Sequence, residues 1–277
     1  MPITLMKPEW KLLPHKKIDA ALWDACVERQ DGELFSEAWY WNAVCKSWKG
    51  WVLGNYEAVI PWPVQHKFVV FPTLKTPLYV KWIQGDEAKI REALSQFRGI
   101  KKLHLQFEGK KCIEKKVQLL ELSQLWLPSQ ELAKNLRKAE KFNPVWVPQV
   151  GWTEFQECMR RNHPYPWPNI QQQTMQHLWE VASSLGRGAI CGVRINNELA
   201  AMQFFIYSRN RIYLIQNVVN AQLRSHEPMP WLLNHLFTQF RNSESLTRVN
   251  FMGSSNPGVA RFNEKFGAKT ISYWEFS

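Results

Sequence analysis

The chain has 277 residues, more than one hydrophobic core usually organises, so two domains are expected. Its 45% hydrophobic content and 15 tryptophans exclude a disordered chain, and no apolar run approaches the roughly 20 residues that cross a bilayer. A formal net charge of +11 points to an anionic partner such as nucleic acid, a phosphorylated cofactor or a membrane surface.

Both halves are basic, and residues 151–277 contain no aspartate, so any carboxylate chemistry there falls to glutamate. The five cysteines, Cys26, Cys45, Cys112, Cys158 and Cys191, are scattered and show no C-x-x-C spacing. That pattern fits reduced thiols, not a disulfide framework or a metal site. The opening residues have no apolar segment followed by a small-residue cleavage site, so a cytoplasmic location is expected.

In chain order, the first half reads as a short strand near Trp10 and helices over Ile18–Arg29 and Glu37–Lys46. Strands follow at Trp51–Leu53, Glu57–Val64, and Phe68–Phe71 or Leu78–Trp82, then a helix over Glu87–Phe97 and strands at Leu103–Phe107 and Lys116–Glu121. The aromatic group Trp39, Tyr40, Trp41, Trp48 and Trp51 reads as core and inter-domain packing, with a sugar- or peptide-binding wall as the other reading. Pro128-Ser129 opens a helix over Gln130–Phe142. Leu132, Leu136 and Ala139 form its apolar face, and Lys134, Arg137, Lys138 and Lys141 form a basic one. That basic face suits a phosphate-rich substrate such as tRNA, a nucleotide-linked precursor or coenzyme A; a solvated charged face is the plainer reading.

The second half continues with a strand at Val145–Gln149 and helices over Thr153–Arg161 and Gln171–Ser183. Three strands come next, Ala189–Ile195, Leu199–Tyr207 and Ile212–Val219, then a helix over Met229–Phe240 and a strand over Arg248–Met252. Near 257–266, Val259, Phe262 and Phe266 fall at i, i+3 and i+7, predicting one buried helix face. Gly267 stops that helix and a last strand runs near 269–275.

The two halves give nearly the same list of elements. Each has a strand pair joined by residues that tolerate positive φ, Gly54-Asn55 in one and Asn196-Asn197 in the other, as a tight β-hairpin requires. The repeat predicts a boundary near residue 125, with domains at 1–125 and 126–277. For the closing stretch taken alone, a helix packed on a sheet edge of some other α/β domain remains the alternative.

Helix–helix–three strands–helix–strand–helix–strand is similar to the order of GNAT acyltransferases, and two such halves resemble the Fem-type aminoacyltransferases and related double-GNAT proteins. Phe35-Ser-Glu-Ala-Trp-Tyr-Trp41, Trp51-Val-Leu-Gly-Asn-Tyr-Glu-Ala-Val-Ile-Pro61, Asn135-Leu-Arg-Lys-Ala-Glu140 and the Gly253-Ser254…Phe266-Gly267-Ala268 ending resemble phrases of GNAT-like proteins common in Bacteroidetes. The resemblance implies an α+β chain of two tandem GNAT-like domains, each a mixed central sheet flanked by helices, the first one degenerate. It also implies attack by an amine on a thioester or aminoacyl ester, whose carbonyl is held by backbone N–H groups of the fourth strand.

Gln216, Asn217 and Asn220 end that strand as substrate-facing residues would, with a polar loop entry as the other reading. His226 is a candidate base, though a lone histidine is more often a cap or surface residue, and Tyr273 and Tyr213 are candidate proton donors, with core or interface packing the plainer role for either. Asn250 retains hydrogen-bonding capacity where relatives carry an acid, and Ser254, Ser255 and Asn256 offer polar groups at the last helix start, where a structural cap is the simpler role. The expected pyrophosphate loop reads Asn220-Ala-Gln-Leu-Arg224-Ser-His226-Glu227-Pro228-Met-Pro230. It keeps Arg224, but Glu227 stands at a glycine position and two prolines remove N–H donors, which disfavours acyl-CoA. Three functions follow: an acyl- or aminoacyltransferase acting on an amine, a tRNA-dependent version of it, and an inactive GNAT-derived binding protein.

Overall fold

A computed structural model describes residues 9–29, 32–45, 47–65, 68–69, 103–105, 112–122, 126–162, 169–241, 247–253 and 256–276. The chain divides into two compact units, Met1–Lys115 with Ser272–Ser277, and Lys116–Ile271.

The first unit holds β1 (Trp10–Pro14), α1 (Ala20–Arg29), α2 (Ala38–Val44), β2 (Trp48–Leu53), β3 (Ala58–Gln65) and β4 (Phe68–Val69). Its strands form an antiparallel sheet in the order β1-β2-β3-β4. Tryptophan builds the core: Trp23 meets Trp48 edge-on with centroids 5.3 Å apart, and its indole N–H donates to the Ser36 carbonyl at 2.7 Å. Gly50 lies beneath that ring, where a Cβ would come within 2.4 Å of it, so β2 accepts no side chain there. Tyr40, Trp41 and Trp48 are buried as expected for core residues, while Trp39 and Trp51 are half-buried. The β2–β3 turn is longer than the two residues expected. Leu53 pairs with Ala58, leaving residues 54–57 outside the ladder, and the left-handed positions are Gly54 and Tyr56, not Asn55. The strand expected at Leu78–Trp82 and the helix at Glu87–Phe97 lie outside the described residues.

Two strands follow, β5 (Leu103–Leu105) and β6 (Cys112–Glu121). From Lys116 onward β6 belongs to the second unit, ahead of the boundary read near 125. The physical reason is its pairing: Val117–Glu121 is hydrogen-bonded to β11 (Arg248–Gly253) of that unit. Conversely, Trp274–Phe276, the end of β12 (Lys269–Phe276), pairs with β5 in the first unit.

The second unit continues with α3 (Gln130–Glu140), β7 (Val145–Val147), α4 (Trp152–Asn162), α5 (Asn169–Ser184), β8 (Gly188–Ile195), β9 (Glu198–Ser208) and β10 (Arg211–Val219). After β10 come α6 (Pro228–Arg241), β11, α7 (Pro257–Glu264) and β12. The strand order is β12-β6-β11-β10-β9-β8-β7. β7 through β10 are successively antiparallel, and β10 is parallel to β11. The β8–β9 turn has both Asn196 and Asn197 at positive φ, the geometry predicted from their sequence.

Leu232, Leu233, Leu236 and Phe237 of α6 fall on one helix face and join a core with Cys191, Val193, Phe205, Ile212, Val249 and Phe251 of the sheet. α4 and α5 pack on β10 and β8 respectively. α3 has Leu132 and Ala139 fully buried and Leu136 packed against the same core, as its period predicts. The expected face of α7 is only partly right: Phe266 is buried, but Val259 is 43% exposed. Asn263 turns inward instead, donating to Gln118 Oε1 of β6 at 2.8 Å. Gln118 in turn donates to the Ala260 carbonyl at 3.1 Å, so this buried amide pair fastens α7 to the sheet.

A candidate acyl-transfer fork

β10 and β11 share register only at Arg211–Arg248, Ile212–Val249 and Tyr213–Asn250. Both then leave regular geometry. β10 bulges between Leu214 and Gln216 against β9, and β11 bulges between Asn250 and Gly253 against β6, with Met252 at φ 65°. From there to Val219, β10 is paired on its β9 side. A strand that leaves its neighbour this way presents backbone N–H and C=O groups on the open side. Gln216 is half-buried and donates to the Asn217 carbonyl at 2.9 Å, Asn217 is exposed, and half-buried Asn220 closes the segment.

The connection from β10 to α6 is not a glycine-like cradle. Ala221–His226 is a tight 3₁₀ helix whose first N–H groups are already used. Ala221 N–H donates to Asn162 Oδ1 at 2.9 Å, Gln222 N–H to Asn220 Oδ1 at 3.1 Å, and Leu223 N–H to the Asn220 carbonyl at 3.1 Å. Glu227 adopts the left-handed backbone a glycine would favour, φ 56° and ψ 42°. Pro228 and Pro230 have no N–H, which leaves Met229 as the one residue among the first three of α6 with a donor to offer. The Glu227 carboxylate is pinned by Lys138 Nζ at 3.5 Å and by Asn135 Nδ2 at 3.4 Å. Arg224 is exposed and its guanidinium has no partner among the described residues. His226 stacks on Phe142 with ring centroids 3.9 Å apart, and its buried Nδ1 is unpaired among the described residues.

The basic helix and the altered loop, separate features in the sequence, are neighbours. Besides the Lys138 and Asn135 contacts, Glu140 of α3 accepts from Trp231 Nε1 of α6 at 2.6 Å. Lys134, Arg137 and Lys141 remain exposed and without partners among the described residues. Beside them His235 lies between Trp231, 5.1 Å away, and Trp146, 4.6 Å away. Burial lowers the His235 pKa below its ordinary value, against the opposing pull of Glu140.

On the α4 side of the same strand end lies a cavity of about 660 Å³ lined by Glu154, Glu157, Asn162, Glu198, Met202 and Asn220, among others. Glu154 pairs with Arg194 at 3.5 Å and Glu157 with Arg161, whereas exposed Glu198 has no ion-pair partner among the described residues. Cys158 also lines it, with its thiol pKa raised by burial, and burial pushes Cys191 to about 12, which leaves both poor nucleophiles.

Asn250 is 1% exposed; its Oδ1 accepts from Met252 N–H at 2.8 Å, and its Nδ2 has no partner among the described residues. Tyr213, its register partner, is also buried. Asn256 caps α7, its Oδ1 accepting from Gly258 N–H at 2.8 Å. Ser254 and Ser255 lie outside the described residues. Tyr273 is buried in the part of β12 that belongs to the first unit. One residue the sequence reading passed over is Gln203, fully buried in β9 and bonded to the carbonyl of Gln216. The available signal was its amide within the apolar run Leu199–Tyr207.

Residues 150–262 match the family profile described as an acetyltransferase (GNAT) domain. No curated protein is similar to the chain in sequence. Among solved structures, FemX is 10% identical, with 97% of each chain covered and a TM-score of 0.67. A tandem GNAT protein from the clavulanic acid biosynthesis pathway is 10% identical, covering 96% of this chain and 98% of its own, at a TM-score of 0.57. L-PGS from Bacillus licheniformis is 12% identical, covering 93% of this chain and 91% of its own, at 0.56. The chain is therefore GNAT-like, an α+β protein that resembles the Fem-type and tandem-GNAT structures along nearly its whole length.

Proposed function

We propose that this GNAT-like chain transfers an acyl or aminoacyl group from a thioester or ester to an amine, at the fork where β10 and β11 part. The observation that carries the reading is the fork itself, two parallel strands that bulge apart inside the segment matched by the GNAT family, with Gln216, Asn217 and Asn220 at its mouth. N–H groups on the open side of β10 are suited to the oxygen of a tetrahedral intermediate, where preorganised donors stabilise charge best. The acceptor nitrogen attacks the carbonyl carbon, and the thiol or hydroxyl of the donor leaves with a proton. His226, on the turn that follows Asn220, is the candidate for the proton lost by the amine. The cavity, with Glu154, Glu157 and Glu198 against Arg161 in its lining, suits an acceptor that arrives as an ammonium ion and gives up one proton before it attacks.

The donor follows from where phosphate finds support. The 3₁₀ turn and the prolines of α6 give a pyrophosphate few backbone donors, whereas Lys134, Arg137 and Lys141, with Arg224, offer cationic side chains. This favours a phosphate-rich donor such as aminoacyl-tRNA, gripped by side chains, over acyl-CoA. The same missing cradle also favours a second reading, a GNAT-derived binding protein without catalysis.

A thermal-shift panel with acetyl-CoA, longer acyl-CoAs and aminoacyl-tRNA separates these. A ligand that binds only the native state, at 100 times its Kd, adds about 2.7 kcal/mol. Stabilisation by aminoacyl-tRNA that fades steeply with salt is the expected result. Stabilisation by acyl-CoA alone keeps transfer and overturns the donor assignment, and no stabilisation by any donor sinks the transferase.

A further inference from the structure

We infer that the fork is held open by two buried side-chain amides, Gln203 and Asn250, which act as positioning residues for the strand ends that would meet the substrate. The inference rests on the transfer reading above, but its geometry stands independently. Each bulge breaks a ladder, and each is repaired by one amide. On β10 the bulge falls between Leu214 and Gln216, and Gln216 is the register partner of Phe204. Gln203 Nε2 donates to the carbonyls of both members of that pair, Phe204 at 2.6 Å and Gln216 at 3.1 Å. On β11 the bulge includes Met252 in the left-handed region, and Asn250 Oδ1 accepts its N–H at 2.8 Å.

Chemistry selects an amide at both places. Gln203 must supply two hydrogens to two carbonyl oxygens, which a carboxylate cannot do and an apolar side chain cannot replace. The reversed rotamer would set Oε1 against both carbonyls, so the contacts fix its orientation. At Asn250 a carboxylate could also accept the Met252 N–H, and at 1% exposure the neutral amide does so without the desolvation cost of a charge. Each amide retains one buried atom without a partner among the described residues, Gln203 Oε1 and Asn250 Nδ2. Without the Gln203 bridge, the Gln216 carbonyl loses that donor and the strand after the bulge is free to shift register, moving the donors of Gln216 to Asn220.

The test compares wild type with Gln203→Met, Gln203→Glu and Asn250→Ala by residue-resolved amide hydrogen exchange. Gln203→Met is expected to speed exchange over residues 214–219 at least tenfold more than over residues 189–195 of β8, which follow the general loss of stability. Gln203→Glu, close to isosteric, is expected to open the same segment. Asn250→Ala is expected to open residues 250–253. With whichever donor the panel identifies, Gln203→Met lowers kcat at least tenfold with KM within twofold. A uniform rise in exchange throughout the second unit, or a wild-type pattern in Gln203→Glu, overturns the assignment by reducing Gln203 to a filler of core volume. If Gln203→Glu does not fold, Gln203→Met decides. Exchange is measured without substrate, so the failure of every donor would remove the transferase and leave the fork to be judged by exchange.

Discussion

Two strand pairs in one sheet, β8–β9 and β10–β11, are built in opposite ways. The hairpin β8–β9 is set by the Asn196-Asn197 turn and stays in register from Gly188–Ile206 to Ile195–Glu198, with one irregularity. The parallel pair β10–β11 is connected through the crossover helix α6 and keeps register for three residue pairs. A tight turn commits both strands at once, whereas a crossover leaves their far ends to be fixed by other contacts. Polar residues follow the difference. β9 buries nearly everything it carries, and the departing end of β10 shows Gln216, Asn217 and Asn220. The sheet is held on the hairpin side and made available at the fork.

The strongest way to break this contrast is to remove the anchor. Phe204 of β9 is fully buried, and Phe204→Ala should cost about 3–5 kcal/mol and unfold the second unit as a whole in denaturant titrations. The next effect is on ligand binding. Replacing Lys134, Arg137 and Lys141 together by Gln should leave the melting temperature nearly unchanged. It should weaken aminoacyl-tRNA binding and lower the slope of log affinity against log salt by about 2–3.

A smaller change sharpens the comparison on the other flank of the fork. Asn263→Ala strips Gln118 of its buried donor, at a cost of about 1–3 kcal/mol in chemical denaturation. Least in size is the effect of acid on the Trp231–His235–Trp146 stack. The folded His235 pKa lies below its ordinary 6.5, so the unfolded chain takes up the proton first as pH falls. The stabilising contribution is whole above pH 6.5 and declines as the pH falls through 6.5 toward the lower folded value. His235→Gln should flatten that part of the stability profile.

Much of the fold was legible because periodicity and turn chemistry are local. The Asn196-Asn197 hairpin, the buried Leu132 and Ala139, and the glycine stop at Gly267, whose φ is 84°, all follow from residues near one another in the chain. Val259 was misread because a partner distant in sequence, Gln118, draws the polar Asn263 inward and turns the helix away from the apolar stripe. The β10–α6 segment was readable as poor in donors from its prolines. That Glu227 would keep a glycine's backbone and be pinned by Lys138 was not, since the pinning helix lies some ninety residues earlier. Gln203 escaped notice for the same reason: a glutamine in an apolar run signals an exception but does not name the carbonyl it serves.

Chemical transfer at the fork is the step on which the proposed function depends. The most direct measurement is a transfer assay with radiolabelled aminoacyl-tRNA and, separately, labelled acyl-CoA, each offered a mixture of primary amines. Label is expected in a base-stable amide product from the tRNA donor, with less or none from acyl-CoA. A folded chain that binds these donors yet yields no amide from either would contradict transfer at the fork and leave a binding protein on a transferase scaffold.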